Sequence, residues 1–353
     1  MTNLMTPFKY KSLELKNRVV MAPMCQYSAV EGVPNEWHYI HYTSRAVGGT
    51  GLIMIEMTNV DPEGRITDGC LGIWSDDHLE AYKKIIDKCH EHGAKVGIQI
   101  AHAGRKAQDA AVLVSSVDKP FDSTFNIPKE MDEEDIDHMI EKFRLAVRRA
   151  VKAGVDTIEL HGAHGYLIHQ FHSPYINDRA DEYGKDLTKF GVEVVKAVKE
   201  EMPMDMPLIM RVSGREYVIG GYDVDYIIKV CKVYEAAGVD IFHVSSGGEA
   251  SYKESGMTPR GIPGSEKGYQ VPLAEKIRKE LNCPVIAVGK LEDVQYANSV
   301  VEEGKSDLVA VGRGMLVNPY WTLQAANLLN DKELVPGQYL SAFKFSIEAN
   351  TTK

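Results

Sequence analysis

The residues best suited to chemistry are two histidines three positions apart and the tyrosine that follows them, in His161-Gly162-Ala163-His164-Gly165-Tyr166. Neutral imidazoles can donate to a carbonyl or nitro oxygen and stabilise negative charge developing there. A tyrosine hydroxyl can then deliver a proton. The spacing also fits a pair of satisfied core histidines. A metal pair is a poorer fit, because HxxH lacks the HExxH helix and any obvious third ligand. Gly289 and Gly312-Arg313 form a second group. Glycine lets backbone N–H groups approach a phosphate, and arginine adds a bidentate donor. Arg211 lies in an otherwise apolar stretch, so it needs an anion beside it, either a structural partner or a bound group. Cys25 and Tyr27 follow the first apolar run, Met57 and Thr58 close the second, and Gln99 and His102 close the third. A buried structural thiol is the commoner role for a residue such as Cys25. Arg105 and Lys106, on the loop after the third run, read as solvated charges.

These residues share a position: each lies at or just beyond the end of a short run rich in Val, Ile and Leu. The eight runs are Asn17–Met24, Thr50–Val60, Lys95–Ala103, Thr157–His164, Pro207–Gly214, Ile241–Gly247, Cys283–Gly289 and Asp307–Gly314. Runs of this kind suit strands buried on both faces of a parallel sheet. Amphipathic helical segments separate them. Asp132–Ala153 carries apolar residues at Ile136, Met139, Ile140, Phe143, Ala146, Val147 and Ala150, and Asp76–His92 and Asp223–Ala237 behave likewise. The third, fourth, sixth and eighth runs are entered through a Gly-containing turn, such as Ala153-Gly154-Val155-Asp156. The repeat predicts an α/β fold, a (β/α)8 or TIM barrel, rather than a doubly wound sheet; the latter would place GxGxxG after the first strand, where Met24-Cys25-Gln26-Tyr27 stands. No linker divides the chain, so one domain is expected over residues 1–353, with a tail from about 331. The long loops at about 104–131 and 165–186 should rise from the C-terminal face, where barrel active sites sit.

Composition bounds the function class. The net charge is −10 and the 40 Lys and Arg residues are scattered, which gives no basic surface for nucleic acid or membrane. No stretch reaches the roughly 18 apolar residues of a membrane span. Met1–Pro7 has neither the apolar core nor the cleavage site of a signal peptide. Five cysteines, dispersed and without CxxC, argue for a reducing compartment, by default the cytoplasm, and against a disulfide framework or a metal site.

Together the motifs resemble those of the Old Yellow Enzyme family of NAD(P)H:flavin oxidoreductases, in particular its short bacterial branch with a cysteine near the flavin. The matching stretches are Leu15–Val19, Ala22–Tyr27, Gly64–Asp68, Gln99–Lys106, His161–Phe171 and Val311–Arg313, which span nearly the whole barrel. The resemblance implies non-covalent FMN across the barrel mouth, at Pro23, Met24, Cys25, Met57, Gln99, Arg211, Gly289, Gly312 and Arg313. It implies that His161 and His164 hold the activating oxygen of the substrate, that Tyr166 is the proton donor, that Tyr27 lends a substrate-side hydroxyl and that Cys25 tunes the flavin potential. The implied cycle is ping-pong: NADPH or NADH reduces the flavin, leaves, and an electrophilic alkene takes the hydride. Two departures stand out. The loop after Gly184, Lys185–Phe190, is shortened. Close relatives also form a homo-oligomer in which a tail Arg reaches the neighbouring subunit's site, and Gln338–Phe343 has no Arg. The residues leave open a flavin barrel reducing nitro compounds or quinones. A non-redox phosphate-binding aldolase or isomerase would need a strand-end Schiff-base Lys or metal set, and no strand interior carries a Lys.

Overall fold

The computed structural model describes residues 2–248, 266–331 and 334–342. Phe343, at the end of the tail segment considered above, lies outside them. Eight parallel strands form the barrel: β1 (Val19–Met21), β2 (Leu52–Asn59), β3 (Lys95–Ala101), β4 (Thr157–Gly162), β5 (Leu208–Ser213), β6 (Ile241–Ser245), β7 (Val285–Val288) and β8 (Leu308–Val311). Each pairs with the next. The ring closes through Val309–Val19, between β8 and β1, and Val20–Leu52, between β1 and β2. The strands are shorter than the apolar runs because the last residues of each run leave the ladder and turn into the loops.

The outer helices are α1 (Glu36–Val47), α2 (Leu79–Glu91), α3 (Glu133–Ala153), α4 (Lys189–Lys199), α5 (Val224–Ala237), α6 (Val271–Glu280), α7 (Val294–Glu302) and α8 (Trp321–Leu328). In α3 local and tertiary signals agree. Asp132 and Asp135 form a reciprocal capping box, Gly154 ends the helix at φ +97°, and Ile136, Met139, Phe143, Ala146, Val147 and Ala150 are buried. Emptying such a position, as in Phe143→Ala, costs about 3–5 kcal/mol.

Two features were not visible in the apolar pattern. A hairpin of Phe8–Tyr10 and Leu13–Leu15 packs Phe8, Leu13 and Leu15 against inward-facing Val20, Leu52, Met54, Ile209, Ile241, Ile286 and Leu308, plugging the N-terminal end of the barrel. The pairing of β2 with β3 also slips between Ile55 and Thr58, a β-bulge at Glu56–Met57. Glu56 there bonds to Tyr42 on α1, outside the barrel, while Met57 joins a cluster with Cys70, Ala101 and Ala103 at the mouth. The first long loop carries paired Val114–Ser115 and Lys129–Glu130, and the second the helices Leu167–His172 and Glu182–Lys185.

Candidate active site

On β4, Ile158 and Leu160 join the apolar layer beneath the helices, so the alternation of a strand turns Glu159 and His161 toward the barrel axis. The register sets His161 beside Arg211 of β5, and Arg211 beside His243 of β6. Glu159 is fully buried. It accepts from Gln99 Nε2 at 2.7 Å and lies 2.7 Å from His243 Nδ1. These hydrogen bonds and the charge of Arg211 hold the carboxyl below the ordinary glutamate range against the desolvation that burial imposes. Arg211 lies in the field of the Glu159 carboxylate, and its Nε is buried with no hydrogen-bond partner, so it has donor capacity left for a bound anion.

Past β4 the chain bends sharply. His164 adopts φ +59°, a left-handed conformation uncommon outside glycine and typical of functional sites. The bend brings the His161 and His164 rings to 5.1 Å between centroids, and the His161 and Tyr166 rings to 4.8 Å, both edge to face. The amide of Ala163 donates to His161 Nδ1 at 3.2 Å, which leaves the ring proton on Nε2. His164 Nε2 lies 2.7 Å from Ser245 Oγ, whose own proton is directed at Gln270 Oε1 3.3 Å away. The two imidazoles are therefore not equivalent: His161 takes a backbone hydrogen bond on Nδ1, and His164 rests on Ser245 through Nε2. Burial, reinforced by Arg211, keeps both far below the ordinary histidine range, so they are neutral at physiological pH. Burial likewise raises Tyr166, which stays protonated.

The opposite wall is the turn after β1. Cys25 is half-buried. Tyr27 is 51% exposed and held at φ +51°. Glu56 supports this turn from behind, accepting the Gln26 amide at 2.6 Å and the Tyr42 hydroxyl at 2.9 Å, and burial pushes its carboxyl up to about 7. Met57 is buried beside it. Pro23 is buried and Met24 partly so, flanking the end of β8.

At that end Gly312 leads into the short helix Arg313–Val317. A Cβ on Gly312 would meet nothing nearer than Met24 Sδ at 3.4 Å, so packing does not demand a glycine there. Gly289, at φ +118°, is different: a Cβ would come within 2.7 Å of Gln270 Nε2. Gln270 bonds to Ser246, Ser245 and the Val288 carbonyl, tying the ends of β6 and β7. Arg313 is exposed.

Three sequence readings change. Arg105 is buried and donates to the carbonyls of Lys119 and Pro120; Lys106 donates to those of His164 and Gly248 and sits 4.0 Å over the Phe121 ring. Neither is a solvated charge. His102 turns back on its own loop, accepting the Gly104 amide at 2.9 Å, and burial lowers it to about 4. Glu56, Glu159, Gln270, Ser245 as a partner of His164, and Cys70 at the mouth were missed as parts of the site. A carboxylate within an apolar run was the available signal for the two glutamates.

A sequence profile of the NADH:flavin oxidoreductase / NADH oxidase family matches residues 3–332. The chain belongs to this family. It is similar to the NADPH dehydrogenase of Geobacillus thermodenitrificans, 42% identical over 349 residues, 98% of this chain and 99% of the relative. Among solved structures, morphinone reductase superposes with a TM-score of 0.78 at 25% identity, over 94% of this chain and 90% of that one. A 2-naphthoyl-CoA reductase superposes at 0.85 and 25% identity over 92% of this chain, which spans about half (52%) of that enzyme. The protein is thus an FMN-dependent NAD(P)H oxidoreductase of the Old Yellow Enzyme type on a TIM barrel. The aldolase or isomerase alternative falls away. The observed residues fit FMN: a buried guanidinium at Arg211 whose Nε has no hydrogen-bond partner, room for a close approach at Gly312, and an exposed Arg313 beside it. Among the described residues no helix is long and apolar enough to cross a membrane.

Proposed function

We propose that the electron acceptor is an electron-poor alkene, an α,β-unsaturated carbonyl compound, and that His161, His164 and Tyr166 handle it. The observation that carries this reading is the convergence of two neutral imidazoles and a protonated phenol around the His161 ring, next to buried Arg211. FMN would be held by Pro23, Met24, Cys25, Met57, Gln99, Arg211, Gly289, Gly312 and Arg313. When bound, FMN supplies the two-electron carrier between the nicotinamide and the acceptor.

His161 presents Nε2–H to the carbonyl oxygen of the substrate. His164 exchanges its contact with Ser245 Oγ for the same oxygen, so charge that builds there meets two aimed donors whose dipoles are already oriented. Because both rings stay neutral, neither loses a proton to the oxygen; the proton that saturates the α-carbon comes from the Tyr166 hydroxyl. Lys106, held against the His164 and Gly248 carbonyls, fixes the backbone that carries His164. Tyr27, exposed at the rim, would add a hydroxyl to the substrate side, and Cys25 would be one of the residues that hold the cofactor. We further propose that the chain acts as one domain. The same donors would accept a nitro or quinone oxygen, so acceptor chemistry is the point to test.

The test separates half-reactions. Tyr166→Phe should slow reoxidation by cyclohexenone about 10²–10⁴-fold, the usual yield of general acid catalysis, and leave reduction by NADPH unchanged. Reoxidation at the wild-type rate would remove Tyr166 from the proton path.

A further inference from the structure

Cys25 and Cys70, 45 positions apart in sequence, meet at the mouth of the barrel. Cys25 packs on the small cluster that contains Cys70, Met57 and Ala101, and the ionisation of each thiol is set first by the other. The segments carrying them are pinned together. The Ala29 amide donates to the Gly69 carbonyl at 2.9 Å, and a Cβ on Gly69 would lie 2.6 Å from the Tyr27 carbonyl. Cys70 is fully buried; its sulfur faces the Thr67 amide at 3.5 Å, and the Thr67 hydroxyl lies 4.0 Å away. Cys25 is half-buried and open to the site.

This is the arrangement of an attacking sulfur with a second one placed to resolve it. We propose that Cys25 and Cys70 form a dithiol that hydrogen peroxide oxidises to a disulfide linking the turn after β1 to the loop after β2. The contact with Cys25 and the donors at Thr67 hold the Cys70 thiol low, whereas Cys25 is raised, so the pair shares one readily lost proton. Cys25, the less buried of the two, attacks while the Cys70 thiolate takes its proton. The Cys25 sulfur takes one peroxide oxygen as the O–O bond breaks, giving Cys25 sulfenic acid, and the departing oxygen leaves as water. Cys70 sulfur then attacks Cys25 sulfur, the S–S bond forms, the S–O bond breaks, and a second water leaves with the Cys70 proton. Two thiols are oxidised and one peroxide is reduced to two waters. A disulfide holds its sulfurs about 2 Å apart, and forming it would draw together two segments already joined by the Ala29–Gly69 hydrogen bond. The link turns the Cys25 sulfur away from the cavity; that consequence rests on the reading of Cys25 as lying against the cofactor, but the link itself does not. Cys89, Cys231 and Cys283 are buried with raised thiols and do not compete.

The experiment is thiol counting and peptide mapping of the FMN-loaded protein after hydrogen peroxide, alkylated under denaturing conditions. The expected result is a fall from the five thiols of the sequence to three, a tryptic pair joining Cys25 to Cys70, and return to five after dithiothreitol. In Cys70→Ser the peroxide should instead carry Cys25 to the sulfinic acid, which dithiothreitol does not reverse. Wild-type protein that keeps five thiols, or accumulates Cys25 sulfinic acid with no joined peptide, would overturn the proposal. An enzyme with the link but no alkene reduction would overturn the proposed function and leave the dithiol standing.

Discussion

Acidification should destabilise this protein through histidines that folding keeps neutral, and the effect can be worked group by group. Burial lowers His38 to about 4, His41 to about 3 and His102 to about 4. A group whose folded pKa is depressed contributes stability that is lost as pH falls from its unfolded value, 6.5, toward the folded one. Between pH 7 and pH 5 the unfolded chain protonates each of these rings and the folded protein none. At 1.36 kcal/mol per unit, each costs about 2 kcal/mol, or about 6 kcal/mol together. His161, His164, His172 and His243 act in the same direction. Glu56 opposes them: its raised carboxyl, about 7, takes a proton in the folded state first and returns about 2 kcal/mol over the same interval. The histidines win. The assay is urea unfolding at pH 7 and pH 5, with FMN in fixed excess, of the wild type and of His102→Asn, which keeps an acceptor for the Gly104 amide. The variant should lose about 2 kcal/mol less than the wild type between the two pH values. An equal loss in both proteins would refute the assignment of His102 as a buried neutral ring.

Other substitutions probe the remaining parts. Glu56→Gln should steepen the loss between pH 7 and pH 5 by about 2 kcal/mol, read by the same denaturation; an unchanged slope would mean the folded carboxyl takes up no proton in that interval. Gly312→Ala should fold with an unaltered melting temperature, since a Cβ has room there, but bind FMN more weakly in fluorescence titration, and equal affinity would remove Gly312 from the phosphate cradle. Gly289→Ala should lower both, because its Cβ meets Gln270 and its φ is left-handed. His161→Ala should weaken the binding of a phenol to the oxidised protein and slow enone reduction about 10²–10³-fold, the range for loss of one aimed donor; wild-type turnover would show that the oxygen binds elsewhere.

The barrel was legible because its strands are buried on both faces, so the apolar runs needed no partner to be recognised, and because capping residues such as Asp132 and Gly154 write helix ends locally. The short hairpin at the N-terminus was not, since three-residue strands fall below any periodicity. The bulge at Glu56–Met57 was hidden for a related reason: a register slip is a property of two strands and leaves no mark in one. Of the proposed site, His161, His164 and Tyr166 were singled out by spacing, which a pair of core histidines would equally have given, and Arg211 by its apolar surroundings. The tautomer of His161 and the contact of His164 with Ser245 depend on Ala163, Ser245 and Gln270, which come from different loops. Cys25 and Cys70 were read as dispersed because only the fold brings their loops together. Arg105 and Lys106 were misread for the same reason; the carbonyls that receive them lie 14 to 142 positions away.

The central claim is that a nicotinamide and an electron-poor alkene use one flavin site in turn. Anaerobic visible spectroscopy of the FMN-loaded protein tests it directly, with NADPH added first and cyclohexenone second. The account predicts that NADPH bleaches the flavin band and that the enone restores it, with saturated ketone formed in equal amount. A band that NADPH bleaches and the enone leaves bleached would contradict the proposed acceptor, and a band that NADPH does not bleach would contradict the cycle itself.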